Sequence, residues 1–279
     1  MHYKIVVDSC CELPEEYADD PRFERVPLTL EVGDYCILDD ASFNQTEFLQ
    51  KVADYPKCPK SACPSPERFL QAYNTDAEHI YCVTLSSHLS GSYNSAILGK
   101  SLCLEQYGEK SIYVCDSESA SIGETQIALK IMELEELGTL SFDEIVEQIE
   151  VFRSSMNTYF ILDNLETLRK NGRLSQVKAA LATTLNIKPV MGAIKGVIIQ
   201  KGQAIGMKKA MHKMADYLIQ EGHSLEQKIL YISHCNCPER ALMFQKILLE
   251  KCKVKAVKIL NTAGVSSMYA NDGGIIVAI

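Results

Sequence analysis

A chain of 279 residues, 47% hydrophobic and 23% charged, is long enough for one large or two medium domains. Its formal charge of −8 and pI near 5.4 argue against nucleic acid as a partner, because phosphate contacts need a basic surface. No apolar run approaches the roughly 20 residues of a membrane helix, and Met1-His-Tyr-Lys-Ile-Val-Val7 enters a strand where a leader would show a signal-peptide pattern. A cytoplasmic protein with no integral membrane segment is therefore expected.

Lys4 to Val7 reads as a strand ending in Asp8-Ser9, then a turn through Pro14 and a helix-like piece. Arg25 to Val32 and Tyr35 to Leu38 read as two strands around Gly33-Asp34, a hairpin turn. Asn44 to Tyr55 has helical spacing. Ser65-Pro66-Glu67 is a helix start, with a capping hydroxyl, proline at the first position and an acid in the first turn. Ser61 lies just upstream of it, available for another role.

Ile80 to Leu85 is an apolar run of buried-strand type, and a helical pattern begins after Tyr93. Between them lie Ser86, Ser87, Ser90, Gly91 and Ser92. A strand feeding a Ser/Gly turn that opens a helix collects unpaired backbone N–H groups, helix-dipole charge and steerable hydroxyls, which together suit a small anion such as a carboxylate or phosphate. Capping alone would use fewer serines. Ser111 to Cys115 is a strand ending in Asp116-Ser117, which echoes Asp8-Ser9. Both pairs are open to two readings: ligand chemistry, or local turns in which Asp accepts its own downstream amides. Ile122 to Leu137 is a helix stopped by Gly138, and Ser141-Phe-Asp-Glu144 is a capping box for a helix to about Arg153.

Strand and helix thus alternate over the first 150 residues or so, which predicts a parallel sheet with helices on both faces and a ligand site at the carboxyl ends of its strands. A boundary near residue 155 separates this α/β domain, 1–155, from a smaller α+β domain, 156–279. The second domain should contain a strand at Tyr159–Leu162, a short helix at Leu165–Lys170, a helix capped by Ser175 and running through Leu185, and a hairpin around Lys195-Gly196. A helix at Lys208–Gln220, a strand at Lys228–Ser233, a helix at Pro238–Lys251 and strands at Ala256–Leu260 and Gly274–Ile279 complete it. The odd count of eleven cysteines and their apolar settings suit reduced thiols. His234-Cys-Asn-Cys237 is the one dense cluster, and with no second pair at metal spacing neither a metal nor a cofactor is expected.

Several of these pieces share one pattern: Val7-Asp8-Ser9, Lys60-Ser-Ala-Cys-Pro-Ser65, Leu85-Ser-Ser-His-Leu-Ser-Gly-Ser-Tyr93 and Val114-Cys-Asp-Ser117, then Leu165-Glu-Thr-Leu-Arg-Lys-Asn-Gly-Arg-Leu-Ser175, Ile187-Lys-Pro189 and Ser233-His234. Their order and spacing resemble the DegV family of bacterial fatty-acid-binding proteins, over essentially the whole chain. The resemblance implies a long-chain fatty acid held between the two domains. Its carboxylate would lie on the hydroxyls of Ser90 and Ser61, the latter usually a threonine in the family, and its tail in an apolar tunnel. Gly91, Ser92, Arg173 and His234 complete the expected binding set, without a catalytic residue. Some family members present the bound acid to a separate fatty-acid kinase. The family pattern there has an arginine where Ile205 stands and a histidine in the region of Met268, so this chain is expected to bind lipid normally but to be a poor client of a generic kinase. Two other readings compete. A serine acyl hydrolase would use Ser90 with His88 or His234 as base, but the Gly-x-Ser-x-Gly elbow and an orienting acid are missing. A phosphate-ligand site lacks the glycine-rich signatures.

Overall fold

The structure, a computed structural model, describes residues 2–174 and 186–279. The expected helix from Ser175 to Leu185 lies outside the described residues.

Strand β1 (Tyr3–Asp8) leads through a 3-10 turn to β2 (Phe23–Val26), then to β3 (Thr29–Val32) and β4 (Tyr35–Leu38). Helix α1 (Gln45–Asp54) and β5 (Lys60–Ala62) precede α2 (Pro66–Tyr73), β6 (His79–Thr84), α3 (Ser92–Tyr107), β7 (Ser111–Asp116), α4 (Ile122–Leu137) and α5 (Phe142–Ser155). The first sheet is four-stranded and wholly parallel, in the order β2-β1-β6-β7. Its strands are apolar on both faces because both faces are covered. Ile5, Val7, Tyr81 and Val83 pack with Ile127, Ile131 and Ile149 of α4 and α5, while Val6, Ile80, Cys82 and Val114 pack with Phe69, Tyr73 and Ala96 of α2 and α3.

The stretch expected as one strand from Arg25 to Val32 divides into two. Pro27 lacks a ladder donor and breaks the run. The Leu28 amide turns to Ser9 Oγ at 3.0 Å. Beyond this break the chain enters a separate three-stranded antiparallel sheet, β4-β3-β5, in which Leu30 faces Ser61.

After β8 (Thr158–Ile161) and α6 (Glu166–Lys170) the chain forms the β9 (Ile187–Ile194) and β10 (Val197–Ile205) hairpin, whose turn residues Lys195 and Gly196 have φ of 47° and 76°. Helix α7 (Met207–Glu221), β11 (Ile229–His234), α8 (Pro238–Leu249), β12 (Ala256–Asn261), α9 (Gly264–Ala270) and β13 (Ile275–Ala278) come next. The second sheet is six-stranded and mixed, in the order β10-β9-β8-β13-β11-β12. Residue alternation gives it two different faces. Tyr159, Ile161, Ile275 and Val277 pack against α7 and α8, whereas Phe160, Leu162 and Ile276 point the other way, toward the parallel-sheet domain. Helix α4 touches both layers, and its Gln126 Nε2 donates to Ile229 O (3.1 Å) and Ala278 O (2.8 Å). The fold is therefore α/β, a parallel-sheet N-terminal domain with a smaller mixed-sheet C-terminal domain.

Candidate ligand site

The carboxyl ends of β1, β6 and β7 share one edge. Asp8 accepts from the amides of Cys10 (3.0 Å) and Leu85 (2.9 Å), and Asp116 from those of Ser87 and Glu118 (3.1 Å each). Both aspartates thus make local turns and also pin the serine loop. Burial pushes the Asp8 carboxyl up to about 6, against the pull of those amides.

The loop offers an anion fewer amides than its composition suggests. Ser86 N donates to Ser119 O (2.8 Å), His88 N to Ser86 Oγ (3.2 Å), Leu89 N and Ser90 N to Ser86 O (2.9 and 3.1 Å), and Ser92 N to Ser90 Oγ (3.2 Å). Short hydroxyl side chains compete for nearby amides, so only Gly91, Tyr93 and Asn94 in this stretch lack an acceptor among the described residues. The loop therefore presents hydroxyls more than free amides.

Those groups surround a cavity between the end of the parallel sheet and the inner face of the mixed sheet, with about 830 Å³ of empty space including its mouth. Leu28, Leu85, Leu89 and Val265 line it from one side, and Phe160, Leu162, Ile198 and Ile276 from the other. Polar side chains interrupt this apolar lining. Ser61, Ser90, Arg173 and Tyr269 all open onto it. Ser61 Oγ and Tyr269 Oη lie 3.3 Å apart. The Arg173 guanidinium sits 5.9 Å from the Tyr269 ring centroid, and its Nε donates to Leu89 O at 3.1 Å, beside Ser90. The turn before Arg173 is fastened to the approach to β5, because Asn171 Nδ2 donates to Pro59 O (3.0 Å). Burial raises the Tyr269 phenol, opposed by Ser61 and Arg173, so near neutral pH it stays a hydrogen-bond donor. Arg173 beside Ser61, Ser90 and Tyr269 suits one carboxylate with a hydrocarbon tail, although Glu118, Ser119, Ser121, Thr158 and Ser266 also reach the cavity.

Of the expected site residues, the structure brings Ser61, Ser90 and Arg173 to the cavity. Gly91 and Ser92 stand behind it. A Cβ on Gly91 would meet Cys63 Sγ at 3.0 Å, and the buried Ser92 hydroxyl lies 3.1 Å from Ser90 Oγ. His234 ends β11 and does not line the cavity. Its Nδ1 accepts from Cys237 N (3.3 Å), and burial lowers its proton affinity. The neighbouring thiols diverge, Cys235 toward Ser267 O and Cys237 toward Gly274 O. His88 is exposed. Ser90 Oγ therefore meets another serine and no imidazole among the described residues, which leaves a Ser–His pair without support.

Met268 is fully buried, packed with Leu28, Leu30, Val32 and Phe48, on the side of α9 away from the cavity. One expectation needs correction: Ser65 takes the N-cap position of α2, but its hydroxyl makes no capping bond to the helix amides. Tyr269 joins the site without a signal in the sequence. It sits on a helix of seven residues, too short to give a periodic pattern. Asp39, buried at the end of β4, fixes that helix by accepting from Gly264 N (2.8 Å) and Val265 N (2.9 Å).

A family model described as an uncharacterised protein of the DegV family matches residues 2–279, and the chain belongs to that family. It is 35% identical to a DegV domain-containing protein of Streptococcus gordonii over 99% of this chain and 98% of the relative. Among solved structures it resembles a DegV family protein of Ruminococcus gnavus refined with vaccenic acid, at 51% identity, TM-score 0.96 and 99% coverage of both chains. It also resembles the fatty acid kinase B3 protein of Streptococcus pneumoniae loaded with linoleic acid, at 32% identity and TM-score 0.91, covering 100% of this chain and 99% of that one.

Proposed function

We propose that the protein binds one long-chain fatty acid between domains 1–155 and 156–279 and carries it without chemical change. The observation that carries this reading is the cavity itself, apolar along its walls and bearing Ser61, Ser90, Tyr269 and Arg173 together. Each buried methylene contributes about 0.8 kcal/mol, so a tail of a dozen or more outweighs the head-group bonds, at about 1.5–3 kcal/mol each. The tail supplies affinity and the polar cluster sets its register. The fatty acids in the relatives from Ruminococcus gnavus and Streptococcus pneumoniae support the same ligand class. Eleven free cysteines suit a cytoplasmic carrier. No helix among the described residues is long and apolar enough to cross a membrane.

The name of the Streptococcus pneumoniae relative supports delivery of the acid to a fatty-acid kinase. Ile205, where the family pattern of kinase-coupled members has an arginine, stands 66% exposed at the end of β10. Native mass spectrometry of the purified protein tests the carrier reading. A retained C16–C18 acid is expected. Protein that comes without lipid, and takes up none when offered oleic acid, would overturn it.

A further inference from the structure

Away from the cavity, at the other end of the parallel sheet, three side chains with metal-ligand chemistry meet. Strands β1 and β6 run parallel with Tyr3 opposite His79, which places His2 beside His79. Glu135, near the end of α4, points between them. Its side chain is only 2% exposed. Oε1 accepts from the Tyr81 hydroxyl at 2.6 Å and lies 2.7 Å from His79 Nδ1, while Oε2 lies 3.3 Å from His2 Nε2. The ion pairs of Glu135 among the described residues are with these two imidazoles. The other nitrogen of His2, Nδ1, lies 3.0 Å from Glu78 Oε2.

A neutral imidazole has one N–H. His2 faces a carboxylate oxygen at each nitrogen, so one contact sets a lone pair against an anion unless a positive species lies there. The ligand atoms of His2, His79 and Glu135 all lie within 4.8 Å of one another. Tetrahedral zinc, with bonds of about 2.0–2.1 Å, holds its ligand atoms about 3.3 Å apart. His2 Nε2 and Glu135 Oε2 already have that separation, whereas His79 Nδ1 lies against the other oxygen, Oε1, and the ligand atoms, spread over as much as 4.8 Å, would close by up to about 1.5 Å around the ion.

We propose that His2, His79 and Glu135 form a binding site for a divalent ion of the zinc class, with water as the fourth ligand. Glu78 accepts the His2 Nδ1–H and so turns Nε2 to the metal, and Tyr81 holds the Glu135 carboxylate, as outer partners do in metal sites. The ion clips the starts of β1 and β6 to the end of α4.

The test uses full-length protein without an affinity tag, titrated with zinc by calorimetry and with cobalt by visible absorption. One ion per chain is expected, with d–d bands and no thiolate charge-transfer band. His2→Gln, a change at an exposed position, should weaken binding about tenfold or more, as should His79→Gln, and Glu78→Gln by about tenfold. The absence of ion uptake at millimolar zinc would show that a proton bridges these groups and would overturn the site. So would a thiolate band, or binding that survives both histidine substitutions unchanged, since either places the metal on the cysteines.

Discussion

Ser61 Oγ and Tyr269 Oη are close enough to share a proton, and a carboxylate inserted between them and Ser90 would accept from all three. Ser61→Ala and Ser90→Ala should each lower fatty-acid affinity by about 1.5–3 kcal/mol, the range for a hydrogen bond to a charged group. Tyr269→Phe should do the same without disturbing the helix, because the ring remains. Displacement of a fluorescent fatty acid measures this. A Ser61→Ala, Ser90→Ala double variant with full affinity would move the carboxylate elsewhere in the cavity. Arg173→Gln should also weaken binding and make it less sensitive to salt, because a full charge is lost from a partly buried site. Ser90 stood out in the sequence through its Ser/Gly turn, whereas Ser61 and Arg173 entered the expected set through the resemblance to the family. Tyr269 was not legible, since an aromatic among small residues reads equally well as core.

Among elements, α9 shows how one short helix can have two different faces. Tyr269 and Val265 open onto the cavity, while Met268 is sealed against β3 and α1. Met268→His would bury an imidazole among Leu28, Leu30 and Phe48 with no designed partner, at a cost of about 2–4 kcal/mol. Urea denaturation should show a clearly lower midpoint; an unchanged midpoint would mean that this face has room and polarity that the packing does not suggest. Ile205→Arg, at an exposed strand end, should leave stability within about 0.5 kcal/mol. If a kinase reads that position, it should raise acyl-phosphate formation with a kinase from a related bacterium; an unchanged rate would remove Ile205 from the partner contact. The long elements were legible because their ends carry physical signals: the Ser141–Glu144 capping box forms, and Gly138 takes the left-handed conformation at the end of α4. Strand β5 has three residues and α9 seven, so neither completes enough of a period to be seen. The serine loop was legible as a site but not as a hydrogen-bond network, because which amides it satisfies depends on Asp116 and Ser119, brought near only by the sheet.

At the scale of the whole molecule, the two layers meet across buried acids. Glu12 accepts from Ser121 Oγ (2.6 Å) and from Ala263 N (3.3 Å), which joins the start of α4 to the approach to α9. Burial pushes Glu12 up to about 7 and Asp8 up to about 6, and burial together with the Asp8 charge holds Glu124 well above the usual carboxylate range. A carboxyl raised on folding binds its proton more tightly in the native state. Its contribution is therefore fully present below the unfolded value, near 4, and is lost as pH rises through 6 to 7. Between pH 7 and 5.5 Glu12 alone should add about 1.5 kcal/mol, because the full slope of about 1.4 kcal/mol per unit is reached only below its native value, and Asp8 about half of that. Two effects limit the gain. His234, whose proton affinity burial lowers, resists charging as pH falls below its ordinary 6.5. Surface carboxyls held low by partners, such as Asp20 by Arg22 and Asp163 by Lys188 and Arg240, lose their contribution only below about 4. The melting temperature should accordingly rise by several degrees from pH 8 to about 5.5 and fall again in stronger acid. Glu12→Gln keeps the shape of the group and removes its titration, so it should flatten the rise and stabilise the protein at pH 8, where the native carboxyl is ionised and buried. A melting temperature that falls steadily from pH 8 to 5.5, with the same slope in the variant, would mean that these acids are ionised throughout and that water or a cation reaches the seam between the layers.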